Sequence, residues 1–438
     1  MSELHAVVAQ ALDEAKSAGA DEVKAWASRG SEVELEQRGG RLVKTTEATS
    51  RGLSLSLLVN ERFSSHSTSD MRPDALKSFI GRAVAATRTL EPDPDRRLAS
   101  REKLGALAPE ALDLVDQSTP RTATERRQWV AELESELLEK KPDNLVSATV
   151  YGWEVRSETS VLFSNGYTAA SDATHFGCGG EVTLREEDGK LPEATAFFSA
   201  RHLSDVPASD TVVSEVWTRA AEGLNSGPVA SGRYPMLLAN RSVGRFLGAM
   251  LGPMSGGAVW QGRSLFADKI GQRVAAPELT IWDEPQVVRG LGSRLFDGDG
   301  FAPKRRPLLE NGVLQDWLMD VYHARKLGRD PTGGSVSNVV IEPGQSSWQE
   351  MAKGLPKAIR VTSFLGGNSN STSGEFSFGI RGQLLEHGVA VSNIAEMNVS
   401  GNLFRFMESF QGAANDPWGF SAYRVPTLLF SDVQFSGS

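Results

Sequence analysis

The sequence predicts an α+β fold, in which an N-terminal region of helices and a β-meander precedes a β-rich, barrel-like domain. Three observations support this. Segments with helical spacing of apolar residues alternate in the first half with segments in which apolar and polar residues alternate. Asn-Gly and Asp-Gly pairs interrupt the alternating segments, which is typical of hairpin turns. The second half consists mainly of hairpin-like segments around one amphipathic helix.

The first half contains four helical patterns and several strand patterns. The predicted helices cover about residues 3–18, 73–89, 121–140 and 208–224. Hairpin turns are predicted at Gly39-Gly40, Asn165-Gly166 and Asp188-Gly189. The segment NSGPVASGRYP after the fourth helix is rich in Gly, Pro and Ser, as linkers are. We therefore place the boundary between an N-terminal domain, residues 1–225, and a C-terminal domain, residues 226–438, in this segment.

The second half begins with a predicted strand, YPMLLA, and a predicted helix, NRSVGRFLGAM. Asn240 is a favourable N-cap, and Gly252 followed by Pro253 is a stop signal. One face carries an apolar stripe, namely Val243, Phe246, Leu247, Met250 and Leu251. The other face carries Arg241, Gly244, Arg245 and Gly248. Because glycine disfavours helices, we expect Gly244 and Gly248 to allow another backbone to approach closely.

Two later segments resemble each other, and a third is rich in small residues. LLENGVLQDWLMD and LLEHGVAVSNIAE each place a turn between alternating arms, which indicates either a sheet built twice or a chance similarity. FLGGNSNSTSGEFSFGIR is predicted to be a small-residue loop that leads into a strand with Phe376, Phe378 and Ile380 on one face.

The amino-acid composition argues against three classes of protein, namely those that bind nucleic acid, those that are secreted and those that span a membrane. Lys and Arg number 46 against 55 Asp and Glu, a formal net charge of -9, so no basic surface for nucleic acid is indicated. The N-terminal segment is an acidic amphipathic helix rather than a secretory signal, and no apolar run could span a bilayer. Cys178 is the one cysteine, which excludes an internal disulfide. We therefore expect a cytoplasmic protein that binds neither nucleic acid nor membrane.

Residue types alone do not reveal a catalytic site. The six histidines are His5, His66, His175, His202, His323 and His387. No two of them are spaced to present paired imidazoles on one helix, so a self-contained zinc-hydrolase site is not expected. Ser255 lies in a GPMSGG segment that is similar to the nucleophile segment of serine proteases, but no base and acid can be assigned to it from the sequence.

The predicted helix and the segments around it resemble one known family. NRSVGRFLGAM, SGGAVWQGRSLFADKIGQRV, LTIWDEP, GLGSRLFDGDG, LLENGVLQDWLMDVYHARKLG, SGEFSFGIRGQLLEHGVAV and MNVSGNLFRFM occur in the order seen in the TldD/PmbA family of peptidases. The resemblance covers most of residues 20–435 and is strongest after residue 235.

The resemblance also implies which branch of the family this chain is similar to. The TldD branch carries His-Glu-x-x-x-His on this helix and a cysteine before the glycine-rich segment, which together hold zinc. The two histidine positions correspond here to Asn240 and Arg245, the glutamate position to Arg241, and the cysteine lies close to Leu365. A guanidinium has no electron pair to donate to a metal. The chain therefore resembles the other branch, PmbA or TldE, which lacks the ligands.

That branch implies a non-catalytic subunit that pairs with a TldD-type zinc subunit and helps to enclose unfolded peptides. No catalytic residue and no metal ligand are then expected in this chain, and zinc is expected in the partner. The residues expected to contact peptide or partner are Asn240, Arg241, Arg245, Gly366, Gly367, Asn368 and Ser373. For the two arginines, an alternative is that they are solvated or satisfy local acids. Two other functions stay open: an autonomous hydrolase that uses Ser255 or unrecognised carboxylates, and a regulatory protein-binding subunit.

Overall fold

The computed structural model describes residues 2–437, which contain nine α-helices and seventeen β-strands. The helices are α1 (Glu3–Ser17), α2 (Pro73–Thr87), α3 (Ala123–Glu139), α4 (Ser209–Gly223), α5 (Val243–Leu251), α6 (Gly256–Trp260), α7 (Val321–Lys326), α8 (Trp348–Lys353) and α9 (Leu403–Glu408). The strands are β1 (Glu22–Arg38), β2 (Arg41–Val59), β3 (Arg62–Thr68), β4 (Leu145–Phe163), β5 (Thr168–Leu184), β6 (Glu193–Ala200), β7 (Gly232–Leu238), β8 (Ile281–Glu284), β9 (Arg306–Glu310), β10 (Val313–Leu314), β11 (Asn338–Val340), β12 (Lys357–Ser369), β13 (Glu375–Glu386), β14 (Val389–Asn402), β15 (Phe410–Ala413), β16 (Tyr423–Arg424) and β17 (Leu428–Gly437). The predicted α+β class is confirmed.

The N-terminal half is built on one antiparallel sheet with strand order β3-β2-β1-β4-β5-β6. The predicted turns at Gly39-Gly40, Asn165-Gly166 and Asp188-Gly189 join neighbouring strands of this sheet. Gly40, Gly166 and Gly189 have φ values of 72°, 85° and 85°, a backbone region that glycine enters without a steric penalty. Helices α1 to α4 correspond to the four predicted helices, with small differences at their ends.

Helices cover one face of this sheet along its whole width. Val8 of α1 and Ile80 of α2 share a fully buried core with Leu55 of β2. A second core on the same face joins α3 and α4 to β4, β5 and β6. The opposite face is covered over only part of its length, where Phe163 and Trp26 pack against residues 98–114 and 295–301.

The C-terminal half contains the barrel-like sheet that the sequence predicts. Its strand order is β14-β13-β12-β7-β17-β15, and β14 also pairs with β17, so that β7, β12, β13, β14 and β17 close on themselves. The interior is aromatic, with the rings of Phe406 and Phe430 stacked at 4.1 Å and Phe246 of α5 edge-on to Phe406 at 4.7 Å. Closure pairs each of these five strands on both sides, whereas within residues 2–437 β15 pairs only with β17.

A smaller second sheet lies beside the barrel, with the order β10-β9-β8-β11-β16. The two similar segments of the sequence are both hairpins, but they lie in different sheets. The turn at Asn311-Gly312 joins β9 to β10 in the smaller sheet, whereas the turn at His387-Gly388 joins β13 to β14 in the barrel.

The two halves meet through the segment between α4 and β7, where the predicted boundary at residues 225 and 226 lies. Asn393 of the barrel donates hydrogen bonds of 2.8 Å to the carbonyl oxygens of Ala221 and Leu224 at the end of α4. None of the helices in residues 2–437 combines the length and the apolar character needed to cross a membrane.

Candidate functional site

The helix singled out in the sequence begins later than predicted. Residues Asn240–Ser242 form a 3₁₀ turn, and α5 then runs over Val243–Leu251 with Ser242 in the N-cap position. Asn240 is therefore not the N-cap of an α-helix, because the 3₁₀ turn precedes the α-helical residues. The predicted apolar stripe is confirmed, since all five of its residues are buried.

Asn240 is fixed by a neighbouring loop. Its Nδ2 donates to the backbone oxygen of Asp416 at 2.7 Å, and its Oδ1 accepts the backbone N–H of Arg241 at 2.7 Å. The Asp416 carboxylate in turn accepts hydrogen bonds from the backbone and the hydroxyl of Thr427. Both ends of the Asn240 amide are thus engaged within the fold.

Arg241 spans two glutamates of α4. Its two terminal nitrogens lie 2.6 Å from Glu215 Oε1 and 2.6 Å from Glu222 Oε2. Only 12% of the Arg241 side chain and 10% of the Glu222 side chain are exposed, so this ion pair is largely removed from water. This geometry favours the interpretation that Arg241 satisfies local acids.

Two further arginines extend this network. Glu222 also accepts from Arg360 of β12 at 2.8 Å, and Glu215 accepts from Arg219 at 2.7 Å. Burial lowers the pKa of Arg219 from its ordinary value, and the positive charge of Arg241 acts in the same direction. Glu215 and Glu222 were not identified as site residues from the sequence, although their spacing of seven residues places them on one face of the predicted helix.

Arg245 has a different environment from Arg241, although the two are one helical turn apart. Its Nη2 donates to the backbone oxygen of Gly367 at 2.7 Å, and its guanidinium carbon lies 4.9 Å from the centre of the Phe378 ring. The residue is exposed, and no carboxylate within residues 2–437 forms a salt bridge with it. Arg245 therefore presents positive charge at the surface beside β12.

The glycine-rich segment is strand rather than loop over most of its length. Gly366, Gly367 and Asn368 belong to β12 and pair with Gly379, Phe378 and Ser377 of β13. The prediction of a loop was wrong here because a register shift between Phe364 and Gly366 accommodates the glycines as a bulge. Gly367 has φ of 101°, and a Cβ atom there would lie 2.1 Å from the Ser377 oxygen. Close pairing of two backbones thus requires a glycine at this position.

The remaining predicted contact residue, Ser373, lies in the turn between β12 and β13. Its Oγ accepts the backbone N–H of Glu375, and its backbone oxygen accepts from Asn402 Nδ2 at 2.9 Å. Leu365, which the resemblance places close to the cysteine of the TldD branch, is 55% exposed on β12. The structure joins Arg245 directly to Gly367, whereas Arg241 points toward α4.

The two helix glycines do not behave alike. A Cβ atom at Gly244 would lie 3.1 Å from the Tyr423 ring, so this glycine accommodates an aromatic side chain. A Cβ atom at Gly248 would have no atom within 4 Å, and the residue is exposed. The expectation that another backbone approaches both glycines was therefore wrong, because α5 turns this face toward Tyr423 and toward open space.

Ser255 caps a short helix. Its Oγ accepts the backbone N–H of Ala258 at 3.2 Å, which makes it the N-cap of α6. An acid–base pair missed by the sequence analysis lies beside this turn, since His323 Nδ1 is 2.9 Å from Asp320 Oδ1 and a Cβ atom at Gly257 would lie 3.2 Å from His323 Nε2. Within residues 2–437, however, no hydrogen bond joins His323 to Ser255.

The helix residues do not fit a zinc ion. Zinc in proteins takes thiolate, imidazole and carboxylate ligands. Asn240 and Arg241 are engaged with Asp416, Glu215 and Glu222, and Arg245 is a cation. Across residues 2–437, no three His, Cys, Asp or Glu side chains are grouped as a metal site would need.

Sequence models of two domains match this chain. The PmbA/TldA metallopeptidase domain 1 matches residues 27–87, and the PmbA/TldA metallopeptidase C-terminal domain matches residues 231–437. The chain belongs to the PmbA/TldD family of metallopeptidases.

Individual relatives of the PmbA/TldD family match over nearly the whole chain. It is 26% identical over 440 residues to the metalloprotease PmbA of Escherichia coli O157:H7, covering 97% of this chain and 96% of that protein. A crystal structure described as a candidate modulator of DNA gyrase, from Bacteroides thetaiotaomicron, is 30% identical with a TM-score of 0.96 over 100% of both chains. TldE of Thermococcus kodakarensis shares the fold, with a TM-score of 0.83 at 17% identity over 98% of this chain and 100% of that one.

Proposed function

We propose that this chain is the non-catalytic, PmbA/TldE-type subunit of a heterodimeric peptidase whose zinc is held by a TldD-type partner. The two subunits act together on unfolded peptides or on the precursors of peptide natural products, in the cytoplasm. One observation carries this proposal: Arg241 occupies the position that the resemblance assigns to the family's glutamate, and it forms partly buried ion pairs with Glu215 and Glu222.

This ion pair argues against a latent metal site. When a small residue replaces a metal ligand, the site can keep enough space and polarity to bind a metal ion. Here the Arg241 side chain occupies that space, and its guanidinium is held by the carboxylates of Glu215 and Glu222. A cation at this place would repel Zn²⁺, and removing Arg241 would leave two glutamates without their partner. The remaining scaffold is that of the family, which supports a role as a subunit rather than loss of function.

The experiment is reconstitution with the TldD-type subunit of the same organism. We expect the chain alone to contain no stoichiometric zinc by elemental analysis and to leave unfolded peptides uncut. The mixture should form a complex, contain zinc and cleave peptides in a manner that a chelator abolishes. The matched control is a partner in which one histidine of His-Glu-x-x-x-His is replaced by alanine, which should assemble but not cleave.

Two alternative functions give different results in the same experiment. Cleavage by the single chain that resists a chelator and is lost in Ser255→Ala would support an autonomous hydrolase, with the Asp320–His323 pair as the nearest acid and base. Binding of a protein target in the absence of any peptidase partner would support a regulatory subunit. Either result would overturn the proposed function.

A further inference from the structure

The N-terminal sheet has an uncovered region on the side opposite its helices. Side chains alternate between the two faces of a strand, so the register of the sheet decides which residues share this side. Gly152 faces the helices, because a Cβ atom there would lie 2.7 Å from the Trp129 ring of α3, and its neighbours Tyr151 and Trp153 therefore face away. We call this region the aromatic face; it consists of Glu32, Glu34 and Glu36 of β1, Tyr151 and Trp153 of β4, His175, Gly177, Gly179 and Glu181 of β5, and Thr195 and Phe197 of β6.

The centre of the aromatic face is a cluster of rings. The ring centroids of Tyr151 and Phe197 are 5.6 Å apart, those of Trp153 and Phe197 are 6.2 Å apart, and those of Trp153 and His175 are 6.4 Å apart. Tyr151, Trp153 and Phe197 belong to none of the hydrophobic cores, and Phe197 is 42% exposed. Partly exposed aromatic clusters of this kind, outside any hydrophobic core, are typical of protein interfaces rather than of free surfaces.

Two glycines hold these rings in place. A Cβ atom at Gly177 would lie 2.0 Å from Trp153 Cζ2, and one at Gly179 would lie 2.3 Å from Phe197 Cδ1. The two rings therefore lie directly on the backbone of β5, where any larger residue would displace them. Such a surface is organised before binding, so little side-chain entropy is lost when a partner packs against it.

The chain itself shows that this side of the sheet accepts a packed layer. Further along the same strands, Val161 of β4 and Trp26 of β1 are covered by residues 98–114 and by Leu295 and Phe296 of the C-terminal half. The covering layer does not extend over the aromatic face. At the junction, His175 Nε2 is buried without a hydrogen-bond partner in residues 2–437. Burial and the nearby charge of Arg201 lower the pKa of His175 from its ordinary value.

The charges around the rings indicate that the binding partner of the aromatic face is a different protein chain rather than a second copy of this one. Four carboxylates border the rings, from Glu32, Glu34, Glu36 and Glu181, and two basic side chains accompany them. These are Lys44, whose Nζ lies 2.9 Å from Glu34 Oε2, and Arg38 at the end of β1. A two-fold dimer would bring the same acidic excess together from both sides. A partner with basic side chains around an apolar centre is complementary instead.

We infer that the aromatic face is a docking surface for the TldD-type partner subunit. The partner contacts this face through an apolar surface that is bordered by basic residues. This inference rests on the proposed function. Four strands at their usual spacing and five residues along each strand give a footprint of roughly 300 Å². That is enough for the apolar centre of an interface that buries about 800 Å² on each partner.

The test measures the affinity of the full chain for the TldD-type subunit, with variants on and off the aromatic face. Phe197→Lys should weaken binding by at least about 30-fold, as loss of a central aromatic contact does. Val389→Lys, at a residue that is 66% exposed on β14, is the matched control and should leave affinity nearly unchanged. Glu34→Lys with Glu36→Lys should weaken binding and reduce its dependence on salt. The melting temperature of each free variant verifies that it is folded.

The possible results distinguish failure of the docking surface from failure of the proposed function and from self-association. Wild-type affinity in Phe197→Lys and in the double glutamate variant would overturn this docking surface while the proposed function stands. A wild-type chain that does not bind the partner at all would overturn both. A homodimer of the wild-type chain that Phe197→Lys dissociates would assign the aromatic face to a second copy and contradict our choice of partner.

Discussion

Arg241 and Arg245 carry the same charge one helical turn apart, yet their surroundings give them different roles. Arg241 is largely shielded from water between Glu215 and Glu222, whereas Arg245 is exposed and donates to the carbonyl of Gly367. A buried charge depends on its partners, since their removal leaves an ion without compensation in a region of low dielectric constant. An exposed charge retains water and is free to contact a ligand.

This difference predicts opposite results for one substitution at two sites. Arg241→Gln should lower the free energy of unfolding by about 2 kcal/mol or more, because Glu215 and Glu222 lose their shared cation. Arg245→Gln should change it by less than about 0.5 kcal/mol, as exposed substitutions do. Denaturant titration of both variants measures the two values, and each variant is the control for the other. Equal losses would contradict the assignment of Arg241 to the fold and of Arg245 to the surface.

At the scale of the element, helix α5 combines a buried apolar stripe with a face that makes few packing contacts. The buried residues hold the helix in the barrel core, so its stability does not depend on Gly244 or Gly248. Glycine in a helix interior is unfavourable because its backbone loses more conformational freedom on folding than that of alanine. The effect of a Gly→Ala substitution on stability therefore depends on which atoms the added methyl group would contact.

Gly248→Ala should stabilise the protein by about 0.5–1 kcal/mol, because the added methyl group meets no atom and the helical backbone is favoured. Gly244→Ala should gain less or lose stability, because its Cβ would lie 3.1 Å from the Tyr423 ring. Thermal and denaturant unfolding of the two variants compares them directly. Destabilisation by Gly248→Ala would show that its face is covered in solution.

At the scale of the whole molecule, the two halves are joined by charge as well as by apolar contact. Glu222 of the N-terminal half accepts from both Arg241 and Arg360 of the C-terminal half. All three side chains are at most 12% exposed, and Arg360 also lies 4.3 Å from the Trp348 ring. The 3₁₀ turn before α5 and strand β12 are thereby joined to α4, which makes these ion pairs part of the contact between the halves.

Replacement of Glu222 should therefore weaken this contact. Glu222→Gln should lower the melting temperature and speed proteolytic cleavage between residues 224 and 231, because Arg241 and Arg360 lose a shared carboxylate. Glu139→Gln at an exposed position of α3 is the control and should leave both measurements nearly unchanged. A Glu222→Gln variant with wild-type cleavage in this segment would show that apolar contacts alone hold the halves together.

Local features of the sequence were sufficient for the helices and hairpin turns of the N-terminal half, for the buried face of α5 and for the family. The positions of α1 to α4, the turns at Gly39-Gly40, Asn165-Gly166 and Asp188-Gly189, and the buried stripe of α5 all follow from periodicity and turn chemistry over a few residues. The residue types at positions 240, 241 and 245 can be identified from the sequence as well. These features depend on residues that are close together in the sequence, so they can be predicted without knowing how the elements pack.

Tertiary structure alone decided what those residues contact. Glu222 and Arg360 are 138 positions apart, and Arg245 and Gly367 are 122 apart, so no local pattern indicates that they meet. The glycine-rich segment became a strand because β13 pairs with it, and the rings of Tyr151, Trp153 and Phe197 became one surface because the register of β4, β5 and β6 aligns them. Contacts between distant residues depend on how whole elements pack, and that packing is determined by the chain as a whole.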